Sequence, residues 1–303
     1  MRLERRKGFF EMAWTDGLEH ILREQEPLAA RNWLRLGGAA QFFAEPTNQD
    51  ELQILVRRCR EDEVPVRLLG GGSNVLIPDE GLPGVVVSLT AADFAKVEVQ
   101  GQRIRAGGGA RLGQVVSVAA REGLAGIESL VAIPGTVGGG LHGNAGTQIV
   151  DLGQWTQRAM VMTRAGEIIE RSLDDMHFSY RNSTLDELVI LEADFALNPD
   201  DPRDVTRRLQ KEWIVRRARQ PSDEIPCGRI FKDHGGMEAR EILEEAGLKG
   251  TRVGGAEVSE QQPNYVIVHP EGTSSDVLRL IELMDSQVRG RCGVELETEI
   301  EIW

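Results

Sequence analysis

Residues 64–74 read VPVRLLGGGSN, an apolar run that ends in a glycine-rich turn. Its apolar first half is typical of a buried strand, and it runs directly into a turn made of Gly70, Gly71, Gly72, Ser73 and Asn74. Because no Cβ obstructs the backbone of a glycine, consecutive N–H groups there can line a hollow that holds an anion. The stretch therefore predicts a phosphate-binding loop, and an ordinary glycine turn is the alternative.

A second glycine-rich loop, residues 133–146, reads IPGTVGGGLHGNAG and is too long for a simple hairpin, which favours a binding role. Its candidate binding residues are Ile133, Pro134, Gly135, Thr136, Gly138, Gly139, Asn144 and Gly146. Gly138, Gly140 and Gly143 match the G-x-G-x-x-G spacing. We reject a Rossmann dinucleotide fold, because no strand directly precedes them and no helix-forming stretch with a downstream acidic residue follows.

Outward from the two loops, the chain divides into four predicted segments. A charged lead-in helix covers residues 1–26, and a first lobe over 27–88 contains a helix at 49–62 and a strand at 64–69. A second lobe over 89–200 consists of short strands and a helix near 111–123. The last segment, 201–303, has helices at 203–219, 236–247 and 274–290 and strands at 264–268 and 293–302. This mixture indicates an α+β protein.

Composition excludes several classes of function. The chain of 303 residues has 35 Lys and Arg against 48 Asp and Glu, a formal net charge of −13 that repels phosphate polymers and anionic lipid. The three cysteines are far apart, and neither they nor the five histidines form a metal-binding pattern. No apolar run reaches the roughly 20 residues needed to span a bilayer. We therefore expect a cytoplasmic protein without nucleic-acid or membrane partners and without a bound metal.

Two polar patterns supply candidate chemistry. Tyr180 precedes Arg181, whose guanidinium stays charged at any working pH and can bind a carboxylate or a phosphate with two N–H groups. Glu299 belongs to a run in which glutamates alternate with other residues, so that period 2 places four carboxylates on one face of a strand: Glu295, Glu297, Glu299 and Glu301. A surface arginine and a solvated edge strand are the alternatives.

Taken together and in order, these segments resemble the UDP-N-acetylenolpyruvoylglucosamine reductases. The resemblance covers residues 27–303. Besides the two glycine loops, the matching segments are 180–183, 217–221, 230–232, 246–250, 254–259 and 293–299. It implies an FAD-binding fold of the vanillyl-alcohol-oxidase (PCMH) type in two lobes, with a C-terminal α+β substrate domain. On that template both glycine loops contact FAD, NADPH reduces the flavin, and hydride from flavin N5 passes to the enolpyruvyl C3 of a UDP-sugar. We expect a monomer.

The same resemblance assigns site residues. Arg181 and Glu299 match the family residues beside the enolpyruvyl group, with Tyr180 next to them, and Arg229 stands where the family has its proton-donating serine. Since an arginine does not release its proton at physiological pH, this position is a departure. Cys227 and His234 are the candidate substitutes for the proton donor.

Further departures are Asp233-His234 in place of Asn-Pro and residues 261–263, Gln-Gln-Pro, in place of Lys-His-Ala. His142 is a remote candidate for a covalent flavin link. The alternatives to a working reductase are a flavin-binding paralogue without the reductase step, with a binding or regulatory role, and a flavin oxidase for another carboxylated substrate.

Overall fold

The structure is a computed structural model that describes residues 13–221 and 225–303. The strands in chain order are β1 Leu22–Pro27, β2 Ala39–Ala44, β3 Val66–Leu68, β4 Val75–Leu76, β5 Leu82–Val87, β6 Val97–Gln100, β7 Arg103–Gly107, β8 Leu124–Ala125, β9 Thr156–Met162, β10 Ile168–Ser172, β11 Phe178–Ser179, β12 Asn182–Ser183, β13 Val189–Ala196, β14 Asn198–Pro199, β15 Cys227–Arg229, β16 Arg252–Val253, β17 Ala256–Val258, β18 Tyr265–Val268 and β19 Glu301–Ile302. The α-helices are α1 Gln49–Glu61, α2 Leu112–Arg121, α3 Val137–His142, α4 Pro202–Arg219, α5 Ala239–Glu245 and α6 Ser274–Cys292.

The first sheet has the strand order β1-β2-β5-β3, in which β5 pairs in parallel with both β2 and β3. Helix α1 begins after Asn48, whose side chain accepts a hydrogen bond from the backbone N–H of Glu51, as a helix N-cap does. Its apolar side buries Leu52, Leu55 and other residues in a core shared with the sheet. The helix predicted at 49–62 is confirmed, and the sheet ends at the edge where β3 runs into the first glycine loop.

The second sheet is antiparallel, with the order β10-β9-β13-β7-β6. Helices α2 and α3 pack against it over a core that includes Leu112, Leu141 and Phe195, all fully buried. The many short strands and the helix predicted for this region are confirmed. The second glycine loop therefore lies next to this sheet.

The C-terminal sheet is antiparallel, with the order β15-β18-β17-β16, and α5 and α6 cover it. Its core extends to Leu34, Leu36 and Leu76 of the first lobe. Helix α6 also contacts that lobe at its start, where Asp79 accepts hydrogen bonds from the backbone N–H groups of Ser274 and Ser275. The domain boundaries at residues 26, 88 and 200 stay predictions.

The predicted lead-in helix is wrong over residues 13–26. This part forms 3-10 turns at Ala13–Thr15 and Glu19–Ile21, followed by β1. Gly17 has a φ of +75° and interrupts the helical pattern, and β1 pairs with β2, so sheet pairing prevails over the charged, helix-like composition. Residues 1–12, which the same prediction covered, lie outside the described residues.

The strand predicted over 293–302 is also wrong in extent. Regular strand is confined to β19, which pairs in parallel with β4, and Thr298 forms only an isolated bridge with Phe231. The segment crosses from the C-terminal sheet to the first lobe, so two partners share its backbone hydrogen bonds and it forms no single ladder. This crossing carries Glu299 to the junction of the domains.

Candidate functional site

A cleft of about 2260 Å³ lies where the three sheets meet, and both glycine loops line it. Among the described residues, nine Lys and Arg side chains and seven Asp and Glu side chains line this cleft. The cleft is therefore locally positive, although the chain carries −13 overall. Local charge of this sign attracts an anionic ligand in spite of the net charge.

The two glycine loops contact each other through their backbones. A Cβ on Gly71 would lie 2.7 Å from the Cα of Gly135, and a Cβ on Gly72 would lie 2.2 Å from the carbonyl oxygen of Arg31. Gly72 also has a φ of +64°, which an L side chain rarely adopts. Glycine at position 71 therefore allows the two lobes to approach each other, and glycine at position 72 allows the loop to pack against Arg31 within the first lobe.

The first glycine loop offers a row of free donors. Within the described part of the chain, the backbone N–H groups of residues 70–74 donate no hydrogen bond, and Gly70 and Gly71 are exposed to the cleft. An anionic group is the natural partner for such a row of N–H groups. The residues present therefore fit the diphosphate of a flavin nucleotide.

The second glycine loop contains a short helix, α3, which was not predicted in this stretch. Thr136 is the N-cap of α3 and accepts a hydrogen bond from the backbone N–H of Gly139. Each binding residue predicted in this loop lines the cleft except one. Asn144 is the exception: it is buried, and its side chain bonds to the backbone of Ser179 and Gly153, so it supports the neighbouring hairpin and does not line the cleft.

Arg181 lies at the tip of a hairpin between β11 and β12, where Tyr180 and Arg181 form the two-residue turn. Arg181 has a φ of +53°, a left-handed conformation that costs about 1 to 2 kcal/mol for a residue other than glycine. The hairpin directs its side chain into the cleft, where Nε lies 3.1 Å from Oε1 of Glu299. Both side chains are largely buried, with exposed fractions of 14% and 15%.

Glu299 lies between two guanidinium groups. Its Oε2 is 3.1 Å from Nε of Arg229, so the two arginines contact opposite oxygens of one carboxylate. The Nε atoms of Arg181 and Arg229 and the Oε2 atom of Glu299 are buried, yet none of them makes a well-aligned hydrogen bond with a described residue. Buried polar atoms without aligned partners are costly, so a polar ligand would find binding capacity here.

Arg229 also contacts Asp233, another position at which the chain departs from the family pattern. Its terminal nitrogen lies 3.1 Å from Oδ1 of Asp233, which in turn accepts a hydrogen bond from the backbone N–H of Ala239. Burial lowers the pKa of Arg229, but the charges of Glu299 and Asp233 outweigh that effect and raise it above the ordinary value. Arg229 is therefore held as a cation. Its ion pair with Asp233 joins two positions at which the chain departs from the family pattern.

Tyr180 is about half exposed and lines the same part of the cleft. Its hydroxyl oxygen accepts a hydrogen bond of 3.1 Å from the backbone N–H of Asp233, and burial raises its pKa. The structure thus brings together all four catalytic candidates predicted from the sequence: Tyr180, Arg181, Arg229 and Glu299.

The structure separates the two candidate substitutes for the proton donor. Cys227 lines the cleft from β15, two residues before Arg229. His234 is exposed in a turn with Met237 and is not among the residues that line the cleft, so that candidate is wrong. His142 lines the cleft, and its covalent role stays a prediction.

Sequence reasoning missed one residue of the site, Tyr265, which lines the cleft from β18, opposite Arg229. Asn74, which was predicted as a cofactor-binding residue, lines the cleft and also donates a hydrogen bond to the backbone of Glu299. The signal for Tyr265 was its rarity, since the chain has only two tyrosines. No local sequence signal indicates the contact of Asn74 with Glu299.

Two family models match the chain. A model described as FAD binding domain matches residues 40–172, which agrees with the predicted FAD-binding fold. A model described as UDP-N-acetylenolpyruvoylglucosamine reductase, C-terminal domain, matches residues 220–303.

A Bermuda grass isoallergen, BG60, shares the fold alone, with a TM-score of 0.50 at 15% identity over 94% of this chain and 59% of its own.

Relatives match along nearly the whole length. A UDP-N-acetylenolpyruvoylglucosamine reductase of Rhodopirellula baltica is 36% identical over 96% of this chain and 95% of its own, and the reductase 2 of Symbiobacterium thermophilum is 38% identical over 93% and 92%. The crystal structure of the reductase of Thermus caldophilus covers 93% of this chain and 99% of its own, at 31% identity and a TM-score of 0.80. The chain belongs to the UDP-N-acetylenolpyruvoylglucosamine reductase family.

Proposed function

We propose that this protein is an FAD-dependent oxidoreductase that reduces UDP-N-acetylglucosamine enolpyruvate to UDP-N-acetylmuramate with NADPH, in the synthesis of peptidoglycan precursors. One observation carries the proposal beyond family membership: the Arg181–Glu299 ion pair, at 3.1 Å, lies in the same cleft as both glycine loops. A flavin and an enolpyruvyl group bound in this cleft would therefore meet the residues that this reaction needs.

The cofactor side of the site rests on the two loops. The free N–H groups of residues 70–74 would hold the FAD diphosphate, and the second loop, from Ile133 to Gly139, would line the flavin ring. FAD, when bound, supplies the hydride-transfer chemistry that no amino-acid side chain provides. Gly71 and Gly135 keep the two loops close enough to enclose it from both lobes.

The substrate side rests on the arginines. Arg181 would bind the enolpyruvyl carboxylate, and its fixed charge stabilises negative charge that spreads into that carboxylate in the transition state. Glu299 orients Arg181 and Arg229 from between them. The net positive lining of the cleft attracts the diphosphate of the UDP-sugar.

The alternative is a flavin-binding paralogue without the reductase step. Arg229 favours it, because one positioned general acid is worth about 10² to 10⁴ in rate and an arginine does not supply one. The intact ion pairs around Glu299 favour the working enzyme, since a protein without the reductase step has no need of three buried polar atoms that lack aligned partners.

The decisive experiment separates the two half-reactions. Purified protein is expected to be yellow, to bleach anaerobically with NADPH, and to regain its flavin spectrum when the enolpyruvyl UDP-sugar is added. Glu299→Gln should still bleach, but its reoxidation should be slower by about 10² to 10³, as for the loss of one electrostatic stabiliser. Glu295→Gln, a change of the same type at a glutamate whose side chain is 73% exposed, is the matched control.

A wild-type protein that bleaches but never recovers with this substrate would exclude the reductase and favour the paralogue. Peroxide production on another carboxylated substrate would instead indicate an oxidase.

The proposal includes a monomer that acts in the cytoplasm. In the described ranges, every helix is too short or too polar to cross a membrane.

A further inference from the structure

The chain has only two tyrosines, Tyr180 and Tyr265, and both line the cleft beside Arg229. Tyr180 reaches this neighbourhood through its hydrogen bond with Asp233, which is the ion-pair partner of Arg229. Tyr265 lies beside Arg229 because strands β15 and β18 pair. The one position at which the chain lacks the family's proton-donating hydroxyl is therefore flanked by the only two phenols of the sequence.

Sheet register places Tyr265 directly beside Arg229. Strands β15 and β18 are antiparallel, and the register pairs Arg229 with Tyr265. Side chains of such a pair lie on the same face of the sheet, with Cβ atoms about 4.5 to 5.5 Å apart. Since Arg229 extends from this face to within 3.1 Å of Glu299, Tyr265 stands next to the same carboxylate on the cleft side.

Within the ranges 13–221 and 225–303, Tyr265 forms its hydrogen bonds through its backbone, and its hydroxyl forms none. The hydroxyl oxygen of Tyr180 accepts one from a backbone N–H. A general acid must be able to turn its proton toward the substrate. Tyr265 meets this condition and, unlike Tyr180, is paired directly with Arg229 in the register of the sheet.

We propose, on the basis of the function proposed above, that Tyr265 is the proton donor of the substrate-reduction step and that Arg229 stabilises the phenolate that Tyr265 becomes. Hydride added at C3 of the enolpyruvyl group leaves an electron pair at C2. That pair forms the new C2–H bond with the phenolic proton while the O–H bond of Tyr265 breaks. Solvent water returns a proton to the phenolate after the product has left.

This assignment gives Arg229 a role that its own chemistry allows. It keeps its proton, and its positive charge beside the phenol lowers the cost of forming a phenolate in a partly buried site. The charged and titratable groups that face Tyr265 are Arg229 and Cys227 from β15, Arg216 from α4 and Glu299 from the C-terminal segment. Burial outweighs the two arginines and raises the pKa of Tyr265, so the phenol carries its proton at neutral pH.

The first test is Tyr265→Phe in the FAD-loaded protein. We expect unchanged flavin binding and an unchanged rate of bleaching by NADPH, but reoxidation by the enolpyruvyl UDP-sugar slower by about 10² to 10⁴. A merely structural role of Tyr265 would affect both half-reactions together. Reoxidation by wild-type protein should also decline at high pH, above the ordinary range of a phenol, and the variant should lack this decline.

The second test uses the rarity of tyrosine. In a Tyr180→Phe background, biosynthetic replacement of tyrosine by 3-fluorotyrosine labels Tyr265 alone, because no other tyrosine remains. Fluorine makes the phenol more acidic with almost no change in shape. The high-pH decline of reoxidation should then shift to lower pH, while the bleaching half-reaction stays as it was.

Two results would overturn the proposal. One is a Tyr265→Phe protein that reoxidises at the wild-type rate. The other is a high-pH decline that disappears in Tyr180→Phe, or that persists in Tyr180→Phe but does not shift when Tyr265 is fluorinated. If wild-type protein itself does not reoxidise with the UDP-sugar, the proposed function fails first, and this proton donor fails with it.

Discussion

Asn74 donates a hydrogen bond of 2.9 Å from Nδ2 to the backbone carbonyl oxygen of Glu299. The backbone of the same residue accepts a second bond, 3.0 Å long, from the N–H of Glu301. The last residue of the first glycine loop is thus hydrogen-bonded to the backbone at both Glu299 and Glu301. The loop that would hold the cofactor also positions the carboxylate on the substrate side.

Asn74→Ala removes the side-chain bond and keeps the backbone bond. We expect substrate-driven reoxidation of the flavin to slow by about 2- to 10-fold, because one neutral hydrogen bond contributes about 0.5 to 1.5 kcal/mol. Bleaching by NADPH should slow less, since Glu299 takes no part in it. Ser73→Ala is the matched control in the same loop, and an equal loss of both half-reactions in Asn74→Ala would contradict the positioning role.

Arg181→Lys tests the guanidinium apart from the backbone strain. Lysine keeps the charge and the φ of +53°, so the cost of the left-handed conformation is nearly the same in both proteins. It lacks the planar fork that binds a carboxylate with two N–H groups, and we expect reoxidation slower by about 10². Arg35→Lys is the control, because Arg35 has a φ of +54° but is exposed outside the cleft. A similar effect of both changes would assign the loss to the backbone.

The sequence predicted those parts of the site that depend on local pattern. A glycine loop after an apolar strand is visible in eleven consecutive residues, and residues 70–74 line the cleft as expected. The Arg181–Glu299 pair followed only from the family resemblance, because it joins a hairpin of one lobe to a crossing segment near the C-terminus. Contacts of this kind depend on how the lobes assemble.

The errors have the same origin. The alternation around Glu299 is real, but two different partners share its backbone, so no strand of ten residues forms. Asn144 is of a residue type that often binds ligands, but it is buried under the Arg181 hairpin. The neighbour of Arg229 across the sheet depends on register, which neither β15 nor β18 reveals by itself.

Cys59 gives a pH-dependent prediction on stability. It is fully buried on α1, and burial, together with the charge of Asp62, raises the pKa of its thiol to about 12. Between the unfolded value of about 8.5 and this folded value, the unfolded state loses the proton first, so Cys59 lowers the free energy of unfolding as the pH rises. Cys59→Ala lacks this contribution.

The measurement is urea denaturation of both proteins at pH 8 and pH 10. Cys59→Ala should be less stable at pH 8 because it leaves a cavity, and the difference should shrink by about 1 to 2 kcal/mol at pH 10. Other groups that titrate in this range are common to both proteins and cancel in the comparison. A difference that stays constant would show that the thiol ionises as readily in the folded state as in the unfolded one.

Asp79 connects the first lobe with the C-terminal domain at the start of α6. Its carboxylate accepts hydrogen bonds of 2.9 and 3.2 Å from the backbone N–H groups of Ser274 and Ser275, which are among the donors that a helix leaves without intrahelical partners. Its negative charge also lies at the positive end of the helix dipole. Asp79→Ala should therefore destabilise the protein by about 1 to 2 kcal/mol and lower the Tm by a few degrees.

Glu80→Ala is the matched control, since Glu80 is the exposed neighbour and contacts no charged group in the described ranges. If the loss comes from the helix terminus, Asp79→Asn should recover part of it, because an amide oxygen still accepts one hydrogen bond but carries no charge. Adding salt should then weaken only the electrostatic part of the difference in Tm between the wild-type protein and the Asp79→Asn variant. An Asp79→Ala protein with the Tm of Glu80→Ala would show that the two hydrogen bonds accepted by Asp79 do not measurably stabilise the start of α6.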